Sequence, residues 1–413
     1  MKINRLAALI AAIVIGAAAL TAQNGTMTPY SRFGYGILSD NASAAQQAMG
    51  GIGYAMNSGR QINVMNPASY ARVDSLTFLF DMGINFTNLW TSETVNGTTT
   101  SESHDGGGLG YVTMQFPLSK RLGMSVGLLP FSSVGYAFGN DINHGFASRQ
   151  GSGSINQLYL GLGAKIVKGL NIGVNAAYLF GHTINDTYAI TNSGATSLYE
   201  RELRVRDFRI SAGLQYTLEA GANAYTIGLA FTPGKQLLGR TKTYYYDTDM
   251  EQSKPKETDN FKLKDLYSLA DSYGAGINAN IGNRLMLEAD FTWQPWSKCK
   301  YNGEKNVLAD RYKLAVGGQY RPSLRGSYLR RIEYRAGAFY DRDYLVVRGN
   351  NVREYGASVG LGLPVPGFKT TISLTVGWLH RQAYPASLIK EDYLNITLGV
   401  NFNEVWFLKN KIY

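Results

Sequence analysis

The chain has 413 residues, a net charge of +10, 45% hydrophobic residues and one cysteine, Cys299. A lone cysteine excludes an intrachain disulfide framework. The basic balance suits an anionic lipid surface; nucleic acid, the other usual partner of a basic chain, is disfavoured by an export signal and by the lack of a nucleic-acid-binding motif. The composition is rich in glycine (47), tyrosine (28) and phenylalanine (17) and poor in proline (11), which matches membrane strands and closely packed inner barrel faces.

The first predicted element is a secretory signal peptide over residues 1–22. Lys2 and Arg5 supply a positive start, residues 6–20 run apolar, and small residues reach Ala22. Cleavage is expected before Gln23, with cleavage after Ala19 as the alternative. An N-terminal membrane anchor would read similarly, but a spanning helix needs about 20 apolar residues and this run is short. No cysteine follows it, which argues against lipoprotein processing. From Gln23 to Tyr413 every apolar run is interrupted before spanning length, so no further membrane helix is expected.

Residues 23–73 lack strand periodicity. They hold small residues over 42–48, Gly50-Gly51-Ile52-Gly53 and Asn66-Pro67-Ala68-Ser69. Asn-Pro favours a turn, because proline restricts the residue before it and lacks an amide donor. A segment of this kind leading straight into the first strand is expected to fold as a plug, or hatch, in a barrel lumen, where its backbone polar groups find partners.

From residue 74 onward the signal is period two. Leu76, Phe78, Phe80, Met82, Ile84 and Phe86 share one face; Thr77, Asp81, Gly83 and Asn85 share the other, with Leu79 the exception. One face suits lipid and the other a polar lumen. The pattern recurs in Leu158–Leu160–Leu162, Ile172–Val174, Phe208–Ile210–Ala212–Leu214, Leu285–Leu287–Ala289–Phe291 and Leu394–Ile396–Leu398–Val400. Strands are predicted at 74–90, 106–118, 121–138, 153–167, 169–184, 199–217, 222–232, 265–281, 284–296, 307–321, 329–342, 351–363, 368–382 and 391–404. The predicted class is therefore all-β, an antiparallel transmembrane barrel of about 14 strands over residues 74–413, an even number as single-chain bacterial barrels require. Short turns alternate with longer links at 91–105, 139–152, 185–198, 233–264, 297–306, 343–350 and 383–390, the asymmetry of periplasmic turns and outer loops. The link 233–264 reads as a solvated outer loop or as a lid over a ligand entrance.

The third strand is interrupted by Pro130-Phe131-Ser132-Ser133. A proline there removes a ladder hydrogen bond and either kinks the strand or ends it at the outer rim. The plug-like N-terminus with Asn66-Pro67-Ala68, followed by these strands, resembles the FadL/TodX-type (OmpP1-like) outer-membrane transporters of long-chain fatty acids and hydrocarbons. The opening Tyr30-Ser31-Arg32-Phe33-Gly34-Tyr35-Gly36 and the ending Trp406-Phe407-Leu408-Lys409 resemble Bacteroidetes-type members; the run-on to Lys411-Ile412-Tyr413 departs from a strand that ends on an aromatic. The resemblance implies a monomeric barrel of the cell outer membrane that takes up hydrophobic small molecules passively. It also implies lateral exit through a kinked third strand at Pro130, Phe131 and Ser132. Some members serve type IX secretion, so the alternative is a shuttle or interaction partner for exported proteins, with secretion-system or lipoprotein partners. A porin-like structural barrel is a third reading.

Inward parity gathers Glu288 and Asp290, then Arg311 and Lys313, then Arg331, Glu333 and Arg335 on neighbouring strands. They are expected either to form a salt-bridge mesh bracing the plug or, through Lys313, Arg331 or Arg335, to meet a ligand carboxylate. His104, His144, His182 and His380 lack metal-ligand spacing, and no nucleophile elbow, phosphate loop or dinucleotide fingerprint is present. No enzymatic role, metal or cofactor is expected.

Overall fold

A computed structural model describes residues 28–95, 97–142, 145–192, 196–247, 256–323, 325–367 and 369–405. The predicted signal peptide, His144 and the Trp406–Tyr413 ending lie outside them. The strands, in chain order, are β1 (Ile37–Leu38), β2 (Thr77–Val95), β3 (Thr98–Pro117), β4 (Leu122–Ile142), β5 (Gly145–Val167), β6 (Leu170–Thr191), β7 (Thr196–Ala220), β8 (Asn223–Thr232), β9 (Lys235–Gln236), β10 (Gly239–Asp247), β11 (Lys256–Lys262), β12 (Ser268–Leu269), β13 (Ser272–Ile281), β14 (Leu285–Gln294), β15 (Arg311–Tyr320), β16 (Glu333–Val347), β17 (Asn350–Pro364), β18 (Thr371–Tyr384) and β19 (Ile389–Val405). Fourteen of these, β2–β8 and β13–β19, pair antiparallel in sequence order, and β19 pairs with β2 to close the barrel. The predicted class and strand number hold.

Alternation explains the wall. Along β6, Asn171, Gly173, Asn175 and Ala177 are buried while Ile172, Val174 and Ala176 are exposed. The same parity exposes Leu158, Leu160, Leu162, Phe208, Ile210, Ile277 and Val359. So large a contiguous apolar surface is not tolerated in water; it is the lipid-facing belt of an outer-membrane barrel.

Several predicted boundaries are corrected. The expected outer loops at 91–105, 139–152 and 343–350 are mostly strand, because β2 and β3, β4 and β5, and β16 and β17 continue pairing above the belt. In β2–β3 both faces are polar there, as in Thr98-Thr99-Thr100-Ser101-Glu102, so hydropathy alternation stops while the ladder goes on; in β16 it is broken by a bulge between Arg342 and Val346 that turns Tyr344 and Leu345 into the core. The link after β8 is neither a free loop nor a strand from 265. β10 and β11 form an outer hairpin that pairs with the upper half of β7, and a helical turn, Leu263–Leu266, precedes β12. Arg331 is not on a strand: it ends the one-turn helix Tyr328–Arg331 in a periplasmic connection.

Residues 28–73 lie inside the barrel. They descend from the outer half, where Thr28 N donates to Gly135 O at 2.8 Å, to the periplasmic end where β2 begins. In the periplasmic half their backbone rests on inward glycines. At Gly123, Gly163, Gly173, Gly213, Gly228, Gly276, Gly317, Gly337, Gly360 and Gly399, one on each of ten strands, an added Cβ would overlap or crowd atoms of residues 44–71. The ring of missing side chains is what lets a backbone of this length sit against the wall.

That fit can be tested at one position. Gly173→Val places its side chain on the Pro67 carbonyl and is expected to destabilise the folded barrel by at least about 1–3 kcal/mol. Ala176→Val, facing lipid on the same strand, is expected to be neutral. The melting temperature of the heat-modifiable electrophoretic form measures both.

Candidate functional site

Hydrogen bonds fix the luminal segment from several sides. Asn66, fully buried, caps the 3-10 turn Pro67–Arg72 by accepting from Ala68 N at 3.1 Å. Its Nδ2 lies 2.7 Å from the Tyr54 carbonyl and 3.2 Å from those of Leu214 and Leu229, register partners on β7 and β8. Pro67 and Ala68 pack into the glycine ring beside it. Two strands further round the wall, on β14, Glu288 Oε1 accepts from the amides of Ala55 and Met56 at 2.9 and 3.1 Å, and Asp290 Oδ2 from those of Gly53 and Tyr54 at 2.6 and 2.9 Å. Two carboxylates thus serve four consecutive amides that no helix or sheet would satisfy.

The predicted cross-strand ion pairs of these acids do not form. The register sets Glu288 opposite Gly317 and Asp290 opposite Ala315, so both reach inward to the segment instead. Lys313 and Arg311 meet Asp40 of the segment, and Arg311 also pairs with Asp341 at 2.5 Å. Burial opposes charge on Asp40, but the adjacent ammonium and guanidinium outweigh it and hold its carboxyl well below the usual range. Arg335 is buried against Glu333, Gln319 (2.8 Å) and Ser373 (2.9 Å), and Arg321 meets Glu333 at 3.1 Å. Arg331 joins none of these pairs; its guanidinium lies over the Tyr328 ring at the periplasmic mouth.

The outer half of the lumen is filled. Tyr35 packs on Tyr267, Trp296 and Tyr301, and Trp296 on Tyr344, with centroids 4.8–6.2 Å apart. Leu237, Leu263 and Leu269 join the same core, so the link after β8 contributes to a packed cap. Below the cap is a cavity of about 140 Å³ lined by Asp40, Tyr54, Leu129, Phe131, Arg209 and Trp296, among others. Arg209 is the residue that sequence reading missed. Its guanidinium lies 5.4 Å over the Phe131 ring, its Nε is buried without a partner, and it makes no ion pair or hydrogen bond with a described residue. Its inward parity in β7 was legible; its lack of a counter-ion was not.

The wall beside that cavity is incomplete. Among the described residues the β3–β4 ladder runs only from Val112↔Leu128 to Pro117↔Gly123. Above it, β3 pairs with β2 alone, with a bulge at Gly110, and β4 pairs with β5 across a bulge between Pro130 and Ser132. Pro130 therefore bulges its strand without ending it. The free edge of β4 is covered from inside: β1 pairs Ile37 and Leu38 with Ser133 and Ser132, and Ser39 N donates to Phe131 O at 2.9 Å.

A family model described as BamG matches residues 3–413. No curated protein matches the sequence. Among solved structures, the toluene transporter TodX of Pseudomonas putida superposes with a TM-score of 0.62 at 13% identity, covering 90% of this chain and 100% of that one. A FadL homologue of Pseudomonas aeruginosa gives 0.61 at 12% identity, with coverages of 89% and 99%. The toluene transporter TbuX of Ralstonia pickettii gives 0.60 at 12%, with 88% and 98%. At these identities the likeness is one of fold.

Removing the anchors should free the segment before the wall. Asn66→Ala, which loses the cap and the wall contacts, is expected to cost about 2–3 kcal/mol. Together with Asp290→Ala it should expose residues 44–70 to protease while the strands stay protected. Equal protection of the variant and the parent would contradict these roles.

Proposed function

The chain belongs to the BamG family, and we propose that this member is an outer-membrane conduit for the passive uptake of hydrophobic small molecules. In this reading residues 28–73 are the plug, the cap is the outer gate, and cargo leaves sideways between β3 and β4. One observation carries it. A barrel that only had to be a wall would complete its ladder, whereas here two neighbouring strands separate above Val112 and Leu128, beside a luminal cavity, and the edge of β4 is met from inside by the luminal segment, through the two-residue β1 and hydrogen bonds of Thr28, Ser31 and Ser39.

The cavity bears on cargo class. Ligand sites are typically about 300–1,000 Å³, so about 140 Å³ suits a head group or a single ring. A longer tail would extend past Leu129 and Phe131 into the gap. A fatty acid would set its carboxylate on Arg209, the lining cation without a counter-ion, rather than on Lys313 or Arg335, whose charges are already met. The toluene transporters of the same fold support a hydrophobic cargo in general.

Lateral exit can be tested by closing it. Leu38 and Ser132 are register partners, and antiparallel partners stand about 4.5–5.5 Å apart, within disulfide reach. Leu38→Cys/Ser132→Cys in a Cys299→Ser background, oxidised, is expected to lose uptake of a labelled hydrocarbon and to regain it on reduction. Undiminished uptake by the oxidised barrel would rule out this route.

A further inference from the structure

The periplasmic mouth of the barrel holds a second cavity, of about 390 Å³, apart from the outer one. Its cations come from three separate stretches of chain: Arg60 from the luminal segment, Arg321 and Arg331 from the connection between β15 and β16, and Lys369 from the turn between β17 and β18, with Arg335 deeper on the wall. Its carboxylates are Asp81 and Glu333, and both are engaged. Asp81 accepts from Tyr111 and Asn401, and Glu333 holds Arg335 and Arg321. The side chains of Arg60, Arg331 and Lys369 have no acceptor among the described residues, and the Nε atoms of Arg321 and Arg331 are buried without one. The floor between them is neutral and hydrogen-bonding: Asn278, Asn280, Gln319, Ser373 and Asn403.

Three elements that meet at the periplasmic end thus place positive charge without a described acceptor around one concavity. Arg60 and Lys369 are exposed in the mouth, while the buried Nε donors of Arg321 and Arg331 are costly to leave unsatisfied; clustered arginines recognise anionic motifs through charge-assisted hydrogen bonds. The position selects the ligand. The cavity lies within the ring of strands and opens to the periplasm, whereas phospholipid head groups sit outside the wall. A single small anion would meet one or two of the donors and leave the rest unmatched. A peptide carrying several carboxylates can meet all of them and use the amide-lined floor. We propose that the periplasmic mouth is a docking site for an acidic peptide segment of a periplasmic partner.

The test uses the full barrel in nanodiscs of zwitterionic lipid and a fluorescent ten-residue peptide alternating Glu and Gly, with its Gln counterpart as control. The Glu peptide is expected to bind and the Gln peptide not to. Binding should weaken steeply between about 0.05 M and 0.5 M salt. Arg331→Gln/Lys369→Gln should weaken it by about tenfold or more, and Lys120→Gln/Arg121→Gln, on an exposed turn outside the cavity, should leave it unchanged. Both pairs lie in connections, and unaltered heat-modifiable migration verifies that the barrels fold. Equal binding of the two peptides, or no effect of the Arg331/Lys369 pair, overturns the proposal. So does competition by inorganic phosphate at the peptide's own concentration, which would mark a small-anion site. Loss of binding when phosphatidylglycerol is included in the disc would assign the charge to lipid and overturn it as well.

Discussion

Some forty-five residues of irregular backbone lie inside a tube, most of them buried away from bulk water, and every buried amide and carbonyl among them needs a partner. Two devices meet that need. The wall is stripped of side chains where the segment touches it, at a ring of glycines from Gly123 on β4 to Gly399 on β19. Polar side chains then reach into the remaining gaps: Asn66 bridges two strands, and Glu288 and Asp290 take the amides of residues 53–56. The first device fixes distance and the second fixes register. Neither works alone, because side chains at the glycine positions would push the backbone out of reach of the carboxylates.

The wall's asymmetry follows from this packing. The segment spends its lower part on the glycine ring and its upper part, residues 28–39, along the free edge of β4. An exposed strand edge is a liability that proteins usually cover, and here the cover is the chain's own N-terminal region. The edge is free because β4 bulges at Phe131 and β3 at Gly110, so the two diverge above their six-residue ladder. Gap, cover and cavity are contiguous: Phe131 gives its carbonyl to Ser39, its ring to Arg209 and its side chain to the cavity wall.

Much of this was legible in the sequence. Strict alternation in β5, β6 and β19 gave the wall, the strand number and the direction of each side chain, because lipid on one side and a crowded lumen on the other act at every step. Asn66-Pro67 was legible as a turn but not as a bridge, since its partners at Leu214 and Leu229 are about 150 residues away. The outer strand extensions were hidden because pairing above the belt no longer depends on hydropathy. Arg331 was misplaced because Arg331 and Ile332 keep the parity of β16, whereas Leu329 and Arg330 already break it and the backbone of Tyr328–Arg331 turns helical. The roles of Glu288 and Asp290 depend on a register that parity alone does not set. Arg209 stands out only by what fails to surround it.

The central claim is that residues 44–72 are as much a part of the barrel as its strands. Hydrogen–deuterium exchange of the intact protein in a bilayer tests it directly. The account predicts that the amides of residues 53–56 and 68–69 exchange as slowly as those of β7 and β14, the strands that hold them. Exchange of these amides at the rate of a free tail, with the strands still protected, would contradict it.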